Sequence, residues 1–191
     1  MKKIWITVLL FSQILLLLAQ EHKENCINLT DLKGKNLFLH TTTSRLIEFV
    51  GKPDYFTLDR EHEFPIFGPT QNPSSYKIVT NTLMYQHFAY WEKEGSVWIK
   101  QIYFDNKHNY TILYRDIIFN QNLHIDDFLK YFDVKEEDIT LLDKQKNFTE
   151  NKVYYTRIGL SVCESQYSEF VAFYFDKKGF LESIVFYVVE F

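Results

Sequence analysis

From Tyr76 onward the chain is a succession of short aromatic and β-branched runs parted by polar clusters, a texture that commits it to antiparallel sheet. The first runs are Leu83 to Trp91, Val97 to Phe104 and Tyr110 to Phe119, with turns at Glu92-Lys93-Glu94-Gly95 and Asp105-Asn106-Lys107-His108-Asn109. The texture returns in Val153 to Cys163, Glu169 to Phe175 and Phe180 to Val189, where Asp176-Lys177-Lys178-Gly179 supplies the last turn. Each set reads as a meander.

Two helical stretches interrupt this pattern. Thr43 or Ser44 caps a helix of about two turns that carries Leu46, Ile47, Phe49 and Val50 and stops at Gly51-Lys52-Pro53-Asp54. Ile125, Phe128, Leu129 and Phe132 recur at helical spacing in the second, with Asp126 and Asp127 in its first turn, where the helix dipole favours them. Between the first helix and the first meander, Phe56 to Ser75 holds Pro65, Gly68, Pro69 and Pro73 and is expected to be an irregular loop. The fold class that follows is α+β, an antiparallel sheet with short helices covering one face.

The order helix, meander, helix, meander divides the chain at about residues 40–120 and 121–191 and invites a duplication. Tyr103-Phe104-Asp105-Asn106-Lys107 and Tyr174-Phe175-Asp176-Lys177-Lys178 each close a strand and open a polar turn. Duplication and convergence on common turn chemistry both explain such a pair. With Leu46 to Asp54 and the two Tyr-Phe-Asp hairpins, the arrangement resembles the tandem helix-plus-meander fold of β-lactamase-inhibitor-protein-like proteins and the related small outer-membrane-assembly lipoproteins. That resemblance implies a binding protein whose sheet face or loops grip another protein. The Pro-rich segment and the lack of a lipidated cysteine depart from the lipoprotein members.

Residues 1–19 read as a cleaved signal peptide: Lys2 and Lys3, an apolar stretch from Ile4 to Leu18 interrupted by Ser12 and Gln13, and a cut after Ala19. The stretch is too short for a bilayer-spanning helix, so residues 20–191 are expected to form one exported globular domain, periplasmic or secreted, with no membrane span after cleavage. The closing strand ends in Phe191 like that of an outer-membrane barrel, but Ile184, Phe186 and Val188 leave no polar lumen face. Three glycosylation-type triplets begin at Asn28, Asn109 and Asn147 and are read as coincidences in a Lys-, Asn- and Ile-rich, bacterial-looking composition. Net charge is −4 with signs interspersed, which excludes a basic stripe for nucleic acid. Cys26 and Cys163 could pair in an oxidising compartment, yet nothing in their spacing brings them together, and they are read as an N-terminal thiol and a buried strand residue.

No catalytic, cofactor or metal motif stands out. His22, His40, His62, His87, His108 and His124 fall at spacings that make no recognised ligand pair, and adjacent acids such as Glu136-Glu137-Asp138 read as helix-flanking solvated groups. Strand alternation is more informative. In the second meander one face carries Tyr154, Ile158, Leu160, Val162, Val171, Phe173 and Phe175, a core set, while the other carries Tyr155, Arg157, Phe170 and Tyr174. Tyr103 and Gln101 take the equivalent side in the first meander. Tyrosine and arginine combine large contact area with a polar tip, so Tyr103, Tyr155, Arg157 and Tyr174 are the candidate binding residues, the alternative being that this face packs against the other repeat or the Pro-rich loop. The expected function is a non-enzymatic module that binds an envelope or secreted protein through this face or the Pro-rich loop. The alternative is a secreted hydrolase with its site between the sheet and that loop.

Overall fold

The computed structural model describes residues 24–66, 74–105, 107–146, 153–165 and 169–187, with backbone alone for 58–66, 74–80, 143–146 and 153–155. The expected signal peptide lies outside the described residues. The chain enters through β1 (Cys26–Ile27), β2 (Leu32–Lys35) and β3 (His40–Thr42) before helix α1 (Thr43–Val50). A first four-stranded meander follows: β4 (Tyr55–Ile66), β5 (Ser74–Met84), β6 (Phe88–Lys93) and β7 (Ser96–Tyr103). The hairpin of β8 (Thr111–Tyr114) and β9 (Ile117–Phe119) then leads to helix α2 (Ile125–Tyr131). A second meander closes the fold with β10 (Ile139–Lys146), β11 (Val153–Val162), β12 (Phe170–Phe175) and β13 (Leu181–Tyr187).

One large sheet runs in the order β1-β11-β12-β13-β7-β6-β5-β4, with β10 sharing an edge of β11 and β3 an edge of β7. The two meanders meet antiparallel along their final strands, with Ser183 of β13 opposite Tyr103 of β7. Every pairing in this sheet is antiparallel except the short β1–β11 contact. Its inner face buries Ile158, Leu160, Val171, Phe173 and Phe175, as alternation predicts for those five; Val162 is partly buried and the side chain of Tyr154 lies outside the described set. Phe128 of α2 packs there, 4.7 Å from the Phe173 ring and 5.6 Å from Phe175. The helices are where the sequence puts them, although Thr42 rather than Thr43 or Ser44 caps α1, accepting from the Arg45 N–H at 3.3 Å.

Three expectations are corrected. The Pro-rich segment is not a loop: Tyr55 to Ile66 and Ser74 to Met84 pair as β4 and β5, leaving only 67–73 outside the described residues. β4 is the terminal strand of the sheet order, where Pro65 and the charged run Asp59 to Glu63 are permitted because one edge has no neighbour among the described residues. Tyr110 to Phe119 is not one strand; Arg115 adopts φ 49° and turns the chain so that β8 and β9 form a separate three-stranded sheet with β2. Lastly, Cys26 and Cys163 form a disulfide with a Cα–Cα distance of 5.2 Å. β1 lies parallel to the end of β11, pairing Cys26 with Ser161 and Ile27 with Val162, and that register across 137 residues of separation is invisible to spacing.

The two Tyr-Phe-Asp segments share their turn chemistry. Asp105 accepts from the N–H of Lys107 and Asp176 from that of Lys178, each two residues on. Their places in the sheet differ, because the chain leaves the large sheet after β7 but returns to it after β12.

Candidate functional site

The outer face of the large sheet gathers three of the four candidate residues in one row. Arg157 stands opposite Tyr174, Tyr174 opposite Ser183, and Ser183 opposite Tyr103. Parity therefore assigns Arg157, Tyr174 and Tyr103 to one side. Tyr155 belongs to β11, but its side chain lies outside the described set.

Accessibility divides that row. Arg157, Tyr174 and Phe170 are half-buried, and Tyr187, which pairs with Phe170 across β12 and β13, is exposed. The Arg157 guanidinium sits 5.2 Å from the centroid of the Phe170 ring, a cation–π distance, and the Phe170 ring stacks on Tyr187 at 4.4 Å. Burial raises the pKa of the Tyr174 phenol; Tyr187 adds to the rise, and the guanidinium of Arg157 opposes it. Tyr174 thus presents a neutral hydroxyl at physiological pH. Tyr103, by contrast, is only 4% exposed, so a place on the accessible surface is closed to it. Sequence periodicity had grouped Tyr103 with Arg157 and Tyr174 because periodicity reads sidedness and nothing more.

A second constellation was missed at the sequence level. His87, in the turn between β5 and β6, meets Asp105 and His108, which follow β7. The β6–β7 register makes this meeting: Phe88 faces Ile102, and the Tyr103 N–H donates to the His87 carbonyl at 2.8 Å. Nδ1 of His87 is 3.3 Å from Oδ2 of Asp105, Nδ1 of His108 is 3.0 Å from the same oxygen, and the two imidazole centroids are 4.2 Å apart. Burial pushes the Asp105 carboxyl up, but hydrogen bonds from the His108 ring and from the N–H groups of His108 and Lys107 outweigh it, holding the group at about 2. The local part of the signal, Asp105 three residues before His108, was visible but had been absorbed into a turn. The third member is reached only through hairpin register.

Beyond β8, Arg115 bridges Glu24 and Asp31, and the Tyr114 hydroxyl donates to Glu24 at 2.5 Å, tying the entering segment to the small sheet. This network fastens the entering segment, and two of its members, Asp31 and Arg115, also line a solvent-open cavity of about 420 Å³ with Thr30, Lys33 and Leu113. No helix among the described residues is long and apolar enough to cross a membrane. No family model, curated protein or solved structure matches the chain.

Proposed function

We infer that the protein is an exported, non-enzymatic binding module that holds an envelope or secreted protein through the outer face of its second meander. The observation that carries this reading is the Arg157, Phe170, Tyr174 and Tyr187 cluster: a cation over an aromatic ring, two phenols, and partial exposure on a rigid antiparallel sheet. Such groups bury large area at little conformational cost and keep polar tips for a partner's hydrogen bonds. The Cys26–Cys163 disulfide supports export, because such bonds persist in oxidising compartments. The charged and apolar pattern of residues 1–19 supports the same route.

The likeness to β-lactamase-inhibitor-protein-like folds remains part of this proposal, as does an ancestral duplication. Two four-stranded meanders joined through their last strands are what a duplicated unit would produce, although the Tyr-Phe-Asp segments do not mark equivalent strands. The hydrolase alternative would set its site against the paired strands β4 and β5 rather than against a loop.

The test is affinity capture from envelope and secreted fractions of the host, with wild type, Arg157→Ala and Tyr174→Ala as baits and urea unfolding of each bait as the fold control. The reading expects one specific protein retained by the wild type and lost by variants that still unfold cooperatively. Identical captures from all three baits, or loss of folding in both variants, would overturn it.

A further inference from the structure

The geometry points to a divalent transition-metal site of the zinc class formed by His87, Asp105 and His108. Two imidazoles and one carboxylate are a ligand set for zinc, copper or nickel, and not for calcium or magnesium, which take oxygen ligands. Zinc bonds of about 2.0–2.1 Å at tetrahedral angles set neighbouring ligand atoms about 3.3–3.4 Å apart. Oδ2 of Asp105 lies 3.3 Å from Nδ1 of His87 and 3.0 Å from Nδ1 of His108, and one ligand atom from each of the three residues lies within 4.8 Å of the others. An ion would enter with shifts of a few tenths of an ångström to about one ångström. Each histidine binding through Nδ1 carries its proton on Nε2, so neutral imidazoles need no net loss of a proton to ligate.

The surroundings hold these groups in place. Oδ1 of Asp105 accepts from the backbone N–H of Lys107 at 2.9 Å and of His108 at 2.7 Å, which fixes the carboxylate plane. The His108 ring stacks on Tyr110 with a 6° interplanar angle and a 5.4 Å centroid distance. Turn closure explains the aspartate and its two backbone donors, but it does not require a second imidazole aimed at the same oxygen from another turn. His87 is mostly buried while His108 is 40% exposed, so the site opens to solvent on one side. Three protein ligands leave the fourth position for water or an external ligand. The cluster lies at the far end of β5 from the β4–β5 tip, away from Pro65.

The experiment is calorimetric titration of Zn²⁺ into tag-free protein stripped with chelator, in parallel with His108→Gln, His87→Gln and Asp105→Asn, each checked by circular dichroism. The expected result is one saturable equivalent in the wild type, a thermal midpoint raised by zinc, and affinity at least about tenfold weaker in each folded variant, since even an outer-shell partner of a metal site is worth about 10–100-fold. His108→Gln alters a partly exposed ring and keeps the test sharp if Asp105→Asn costs the turn. Absence of a saturable equivalent in the wild type would overturn the proposal. So would binding of unchanged stoichiometry and affinity in His87→Gln and His108→Gln, which would place the ion elsewhere.

Discussion

The two meanders use the same side of one sheet in opposite ways. In the first, Trp91 and Trp98 stand directly opposite each other with centroids 6.3 Å apart, and both are 4% exposed. In the second, Arg157, Phe170 and Tyr174 occupy the same side yet stay half-buried, with Tyr187 exposed beside them. Ser183, fully buried, marks the boundary between Tyr103 and Tyr174. Aromatic residues on one side of the sheet therefore serve as packing in one half and remain accessible in the other, with a register shift in β7 bringing Trp98 to the side of Tyr103. Alternation reports which side a residue takes; what lies above that side decides its role.

Truncation within the sealed half should have the largest effect. Trp98→Ala removes a buried ring and is expected to cost about 3–5 kcal/mol in urea unfolding. A loss under about 1 kcal/mol would mean that the Trp half is as open as the Arg half, and the contrast would collapse.

The disulfide sharpens the comparison from the other side, since it fastens β1 to β11 at the edge of the open half. Replacing Cys26 and Cys163 together by serine should cost about 2–5 kcal/mol. Hydrogen exchange should then accelerate in β1 and β11 before β6 and β7. Uniform acceleration across both meanders would show that the staple serves the whole sheet equally.

A smaller contrast separates the two hairpin turns. Gly95 and Gly179 adopt φ values of +83° and +84°, so alanine at either is strained by about 1–2 kcal/mol. A Cβ at Gly95 meets open space, but at Gly179 it would come within 2.6 Å of His124 Nε2, whose ring caps α2 and contacts the Lys178 carbonyl. Gly179→Ala should therefore be the more destabilising of the pair by thermal denaturation. Equal losses would mean that the His124 ring yields freely.

The parts of this fold legible in the sequence were those governed by local rules. Leu46 and Phe128 sit on the buried faces of their helices, Gly51 ends α1, and Ile158, Val171 and Phe173 point inward, because helical spacing and strand alternation are set within a few residues. What failed to show depended on neighbours distant in sequence. Pro65 could join a strand only because β4 is an edge, and Cys26 could reach Cys163 only through β1 beside β11. The chain turns between β8 and β9 at Arg115-Asp116, which lacks the Asn-Gly type of signature that flags a hairpin. The same limit governed the sites. Arg157 and Tyr174 were found together because they are cross-strand partners of matching parity, whereas Tyr103 was misplaced by an accessibility that parity does not carry. His87 escaped notice because its meeting with Asp105 and His108 is made by the β6–β7 register.

The most direct test of a split outer face is to measure, on one preparation of Arg157→Ala, both its unfolding midpoint in urea and its recovery of the captured partner. A partly exposed cation–π contact contributes about 1 kcal/mol or less, so the account predicts a nearly unchanged midpoint together with loss of the partner. A collapsed midpoint would make Arg157 part of the packing, like Trp98, and an unchanged capture would remove the second meander's face as the binding surface.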